Sequence, residues 1–233
     1  MYKHQTIEKK WQKIWEKTAL YRTKEDKNKP KYYILDMFPY PSGVGLHVGH
    51  PKGYIATDIF ARHKLMQGYN VLHPMGFDAF GLPAENYALK NKVNPKISVA
   101  ESVKRFKKQL EILGFCYDWE REVNTTEPTY YKWTQWIFLQ MFKHGLAFES
   151  DEPINWCPSC KTVLADAQVI DSKCERCGNI VGKKELTQWF VRITAYAEQL
   201  DKNIETLKWS EKVRIAQKHW IGKKEGMYIT YAV

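Results

Sequence analysis

Apolar residues recur at helical spacing near the start of the chain. Ile7, Trp11, Ile14 and Trp15 fall on one face, which predicts an amphipathic helix over residues 6–20. A polar, lysine-rich connector from Thr23 to Lys31 follows. The pattern then changes to a run of aromatic and branched side chains, "YYILDMF" (32–38), which predicts a β-strand ended by Pro39 and Pro41. Beyond a glycine-rich turn, a helix is expected from about His50, with Pro51 in the first turn, where a missing N–H is harmless. Ile55, Ile59 and Arg62 keep the helical spacing, and Gly68 ends it. "NVLHPM" (70–75) predicts a second strand. Ser98 and Glu101 read as a capping box opening a helix that runs to Gly114. Another helix is expected after Thr126, with Pro128 in its first turn and Gly145 past its end. From Asn155 to Val181 the helical period disappears among cysteines and turn residues, which marks a small insertion. Helical signals return from Thr187 to His219, and the closing "EGMYITYAV" reads as the first strand of a further domain.

Strand, helix and strand between residues 32 and 75 make a βαβ unit, so the fold class is α/β with a parallel sheet. The connection between the first strand and its helix carries "PSGVGLHVGHPKGY" (41–54), with His47 and His50 three apart. A glycine turn entering a helix aims backbone N–H groups and the positive helix end at one point, an arrangement that binds phosphate. His47 and His50 stand at that entrance as further hydrogen-bond donors, and Gly49 leaves room for a ligand beside the backbone. The spacing alone also allows a capping histidine beside a solvent-facing one, or a zinc pair. A zinc pair needs further ligands nearby, and "FPYPSG" supplies none.

Composition narrows the partners. The net charge is +10, and basic clusters such as "KNKPK", "VKRFKK" and "GKK" alternate with aromatic residues, which make up 14% of the chain. Each cluster alone fits a solvated helix face; together they favour a polyanion, nucleic acid in particular. No run reaches the roughly 20 apolar residues of a membrane helix. The polar N-terminal segment contains no signal-peptide core, so a cytoplasmic location is the expectation.

Of the five cysteines, four form two C-x-x-C pairs: Cys157 with Cys160, and Cys174 with Cys177. Thirteen residues separate the pairs, the paired-knuckle spacing of a structural Zn2+ held by four thiolates. Cys116 stands alone in an aromatic stretch and reads as a buried apolar residue.

"MFPYPSGVGLHVGHPKGYIATD" resembles the H-I-G-H signature region of class I aminoacyl-tRNA synthetases. With "GYNVLHPMGFDAFGLPAEN" downstream, the string is similar to the leucyl-tRNA synthetases among them. The likeness continues through "YDWEREVNTTEPTYYKWTQWIF", "NWCPSC", "TQWFVRITAYA" and "WIGKKEG". Phe77 departs from it, standing where those enzymes usually have tryptophan.

The resemblance implies an ATP-dependent ligase that joins leucine to AMP, with Mg2+ on the ATP, and passes the leucyl group to tRNA(Leu). His47 and His50 match the motif histidines that stabilise phosphate charge, and Gly49 matches the glycine under the adenine. Asp78 matches the carboxylate that receives the substrate ammonium, although an Asp before "AFGLPAEN" is also a natural helix cap. Phe38 and Tyr40 match positions lining the leucine pocket.

On the same footing, residues 1–30 are an N-terminal helix and connector, and 31–154 the first half of a Rossmann-like catalytic domain. Residues 155–181 are the zinc insertion, 182–225 a helical return segment, and 226–233 the start of an editing domain. No K-M-S-K-S-like loop, editing segment or anticodon-binding bundle is found, so the chain is expected to be an N-terminal portion that works with a missing C-terminal portion. Two other readings remain open: a small H-x-G-H nucleotidyltransferase, and a zinc-containing RNA-binding module without turnover. Neither accounts for "FDAFGLPAE".

Overall fold

The computed structural model describes residues 2–41, 45–224 and 226–231, which divide between two compact units, Met1–Thr134 and Gln135–Val233. The first unit opens with α1 (His4–Lys17), closed by the Thr18 hydroxyl donating to the Ile14 carbonyl at 2.8 Å. The stripe of Ile7, Ile14 and Trp15 is half-buried, while Trp11 is exposed. Arg62 pins α1 to the body. Its guanidinium lies over the rings of Trp15 (4.8 Å) and Tyr21 (4.9 Å) and pairs with Asp58 at 2.7 Å.

Two parallel strand pairs form the centre of this unit. β1 (Lys31–Tyr33) pairs with β2 (Asn70–Leu72), with Tyr32 opposite Val71. β3 (Gly76–Phe77) pairs with β4 (Val123–Asn124), with Gly76 opposite Val123. The strand predicted over 70–75 is β2 alone, ending before buried Pro74, which has no N–H for the ladder, and β3 follows just beyond its predicted end. Single bonds continue the pairing across the break, from Ile34 N–H to Leu72 and from Asp118 N–H to His73. The segments 31–39 and 116–125, the latter interrupted by a 3-10 turn at Trp119–Arg121, thus flank 70–78. The crossover between the first two is α2 (Gly49–Met66), so the expected βαβ unit is present.

Two details differ from expectation. The helix read as starting at Ser98 is α4 (Pro95–Leu113), and its cap is Asn94, whose side chain accepts the Lys96 N–H at 2.9 Å. Asn94 followed by Pro95 is a stronger start signal one turn earlier, which leaves Ser98 buried inside the helix. Between Asp78 and α4 lies α3 (Leu82–Asn91), capped by Gly81 at φ +121°.

α5 (Pro128–Lys143) contains the boundary between the units. The second unit is built on β5 (Ala147–Cys157) and β9 (Gly182–Val191), antiparallel from Ala147 opposite Val191 to Trp156 opposite Gly182. β6 (Thr162–Leu164) joins the other edge of β5, and β7 (Val169–Ile170) pairs with β8 (Lys173–Cys174). The helical signal expected from Thr187 is a strand instead. Leu186, Gln188 and Phe190 alternate with more exposed neighbours, a period of two, and helix resumes only at α6 (Ala197–Ile204) and α7 (Glu211–Ile221). Residues 226–231 carry no regular secondary structure. No described helix is long and apolar enough to cross a membrane.

Candidate active site

The two histidines stand at the entrance of α2, His47 just before the N-cap Val48 and His50 in the first turn. His50 Nδ1 accepts the backbone N–H of His47 at 3.2 Å, and His47 Nδ1 accepts that of Gly49 at 3.1 Å. With both Nδ1 atoms accepting, each neutral ring carries its proton on Nε2. The rings lie 4.0 Å apart, His47 exposed and His50 half-buried. Burial first, and then the neighbouring His47, hold His50 below the usual imidazole range, which favours its neutral form.

The expected cradle of backbone N–H groups is changed by this geometry. The Gly49 N–H is taken by His47, the His50 N–H bonds the His47 carbonyl at 3.0 Å, and Pro51 has none. Donors here come from the imidazole Nε2–H groups instead. Gly49 is needed for a local reason too, because a Cβ would come within 2.8 Å of the His47 ring. Ser42, Gly43 and Val44, the middle of the predicted glycine turn, lie outside the described residues. Its far end is fixed by Gln109 of α4, whose Oε1 accepts the Leu46 N–H at 2.8 Å. Gly45 beside it has φ +146°, and a Cβ there would meet the Gln109 amide at 2.6 Å.

Asp78 follows β3 directly and donates its N–H to the Pro39 carbonyl at 3.1 Å. Tyr54, one turn beyond His50, donates its hydroxyl to the Met37 carbonyl at 2.9 Å. The H-x-G-H helix and Asp78 therefore both abut the end of the first strand. Asp78 is half-buried, and among the described residues its carboxylate has no hydrogen bond or ion pair. With Gly81 at the helix cap, that carboxylate does not serve as the N-cap of α3. Phe38 packs against the cluster of Tyr54, Met75, Leu110 and Tyr117, and its ring lies where a Cβ on Gly76 would be. Tyr40 is exposed.

Sequence reasoning missed a buried polar cluster beneath this surface. Asp36 accepts hydrogen bonds from Thr57 (2.7 Å) and Tyr117 (2.9 Å) and pairs with His73 Nε2 at 3.0 Å. The other ring nitrogen of His73, Nδ1, meets Cys116 Sγ at 3.5 Å. Burial pushes the Asp36 carboxyl up, but the bonds from His73, Thr57 and Tyr117 outweigh it and leave the group below the usual carboxylate range. Burial raises the Cys116 thiol far above the ordinary range, in keeping with a buried, unreactive residue. The one available signal was parity: Asp36 falls on the same inward side as Ile34.

In the second unit, Cys157, Cys160, Cys174 and Cys177 bring their sulfurs within 4.8 Å of one another. Cys157 and Cys177 are 3.5 Å apart, and the Cys160 N–H points at Cys157 Sγ from 3.4 Å. A tetrahedral ion with Zn–S bonds of about 2.3 Å has S···S edges of about 3.8 Å, so the donor set is compatible with Zn2+. The Asn179 backbone N–H draws the Cys177 thiol down to about 6, and hydrogen bonding with Cys177 pushes Cys160 up to about 12. Cys157 and Cys174 also form the core of this region with Leu164, and Cys160, Val169 and Val181 pack against them, while Cys177 is exposed.

Part of the expected basic–aromatic pairing is made within the chain itself. Lys64 lies over Tyr69 (4.7 Å), Lys107 over Trp119 (4.8 Å) and Lys184 over Trp156 (4.4 Å).

Residues 10–225 match the family of tRNA synthetases class I (I, L, M and V). The chain belongs to this family. Its α/β fold is the Rossmann-like fold of class I synthetases, whose reactions use ATP and Mg2+. Among solved structures, it superposes with a TM-score of 0.88 and 40% identity on a LeuRS (agnB2) of Agrobacterium radiobacter K84 in ternary complex with tRNA and LeuAMS. That match covers 95% of this chain and 29% of the LeuRS. Methionyl-tRNA synthetase of Mycobacterium tuberculosis, in complex with methionyl-adenylate, matches with a TM-score of 0.70 at 22% identity. That match covers 82% of this chain and 38% of the other, and at this identity the likeness is one of fold.

Proposed function

We propose that this class I synthetase chain is the N-terminal portion of a leucine–tRNA ligase. It would activate leucine with ATP and pass the leucyl group to tRNA(Leu) in the cytoplasm, together with a C-terminal portion of the same enzyme. The observation that carries the reading is the placement of two imidazoles, each with Nδ1 accepting, and a carboxylate unpaired among the described residues, against the end of one parallel strand. Ligands of open α/β sheets sit at the carboxyl ends of the strands. The similarity to a LeuRS bound to tRNA and LeuAMS supports leucine and tRNA as the partners.

In this reading Asp78 receives the leucine ammonium and so holds the leucine carboxylate beside the ATP. A carboxylate oxygen attacks the α-phosphorus; the new acyl–phosphate bond forms as the bond to the β-phosphate oxygen breaks, releasing pyrophosphate. His47 and His50 donate from Nε2 to phosphate oxygens whose charge grows in the transition state, and Gly49 faces the adenine. Mg2+, carried in with ATP, shields charge on the phosphates. Phe38 and Tyr40 form the apolar side of the leucine pocket. The four cysteines hold a structural Zn2+ that organises the hairpin carrying them.

The test is complementation. Residues 1–233 alone should support little or no leucine-dependent ATP–pyrophosphate exchange, and adding the separately produced C-terminal portion should restore it. In the restored enzyme, Asp78→Asn should raise the KM for leucine about 10- to 100-fold, the worth of a hydrogen bond to a charged group, with the KM for ATP little changed. An unchanged leucine KM would remove Asp78 from the site.

A further inference from the structure

Below the candidate site, Asp36 connects three parts of the first unit. Its carboxylate takes Thr57 from α2, His73 from the segment leading to Asp78, and Tyr117 from the segment that leads into β4. Asp36 and His73 are 6% and 2% exposed, so these bonds face little competition from water. Thr57 is the important link. His50, Tyr54 and Thr57 stand four and three residues apart, on one face of α2. Tyr54 is bonded to the Met37 carbonyl and Thr57 to the neighbouring Asp36 side chain. These two bonds set how far α2 slides along the first strand and how it is rotated, and therefore where the His50 ring stands.

We propose that the Asp36–Thr57 hydrogen bond is a positioning device for adenylation, holding the H-x-G-H donors in register with the strand end that carries Asp78. The proposal rests on the adenylation reading above. Asp36 and Thr57 need not touch substrate. Asp36 fixes the phosphate side through Thr57 and the ammonium side through His73, which lies five residues before Asp78 on the central segment. A displacement of about 1 Å in such a site can cost ~10² in rate. The bland reading is that Thr57 only bonds back along its helix, since its hydroxyl also lies 3.0 Å from the Tyr54 carbonyl. The shorter contact to Asp36 favours the cross-link as the place of the single proton.

The two readings separate kinetically. Thr57→Val keeps the volume and removes the donor; Thr57→Ser keeps the donor. Both are compared with wild type in the complemented enzyme, by pyrophosphate exchange with leucine, isoleucine, valine and methionine and by urea denaturation. The expected result for Thr57→Val is a kcat lowered about 10- to 100-fold, KM values for ATP and amino acid within about threefold, and a folded protein. Thr57→Ser should recover most of the rate. A Thr57→Val enzyme within twofold of wild type would overturn the proposal, as would equal losses in Val and Ser, or a loss confined to KM. A wild type faster with another of these amino acids than with leucine would overturn the leucine reading instead. The Val–Ser comparison is then made with that amino acid and keeps its meaning.

Discussion

His50 turns its Nδ1 toward the backbone N–H of His47, 3.2 Å away, and so leaves Nε2 to carry the proton of the neutral ring. Removing that donor should be costly where phosphate charge develops. His50→Ala is expected to lower the exchange rate by ~10² to 10³. His50→Gln can place an amide N–H near the position of Nε2 and should lose less. Steady-state exchange with saturating ATP decides it, and wild-type rates in the alanine variant would mean that Nε2–H faces no phosphate.

The cysteine cluster predicts one zinc per chain. Structural zinc binding is worth ~10 to 16 kcal/mol in small zinc-finger peptides, and here few other buried residues surround the cysteines. Chelation should disorder residues 155–181 while the signals of the first unit, which has its own aromatic core, persist. Metal analysis with backbone NMR before and after chelator checks this. Protein purified without chelator that contains no zinc and has four freely titrating thiols would contradict it.

The chain's own pattern made some of this legible and hid the rest for physical reasons. His47, His50, Asp78 and the cysteines lie in short local motifs, where spacing carries the information. The βαβ unit was readable because proline and glycine bound its elements. The Asp36–His73 pair was not, since its members are 37 positions apart and only the folded sheet joins them. "TQWFVRI" (187–193) has mixed periodicity that also fits a helix, and the ladder with β5 decides in favour of strand. At α4 two start signals competed, and the one with proline at the first helical position prevailed.

Gly76 predicts a packing limit next to the site. A Cβ there would lie 2.5 Å from the Val123 carbonyl and 2.7 Å from the Phe38 ring. Backbone on the neighbouring strand cannot yield cheaply, so Gly76→Ala should destabilise the first unit by about 1–3 kcal/mol, the usual cost of overpacking. Urea denaturation measures it. Wild-type stability in this variant would place β3 and β4 in a different register.

Asp36 gives a pH dependence with a defined sign. Its carboxyl is held below the usual range in the folded state, so it contributes stability that is complete above the unfolded value of about 3.9. That stability is lost as the pH falls through the lower, folded value. Between pH 6 and 2.5 the wild type should therefore lose more stability than Asp36→Asn, which has no proton to take up there. Urea midpoints across this range test it, and identical slopes would mean that Asp36 is no more acidic folded than unfolded.

The most direct test of the central claim is amino-acid-dependent ATP–pyrophosphate exchange by this chain complemented with its C-terminal portion, run side by side with leucine, isoleucine, valine and methionine. Leucine should give the highest kcat/KM, and His50→Ala should abolish most of that activity. Faster exchange with isoleucine, valine or methionine than with leucine would contradict the assignment.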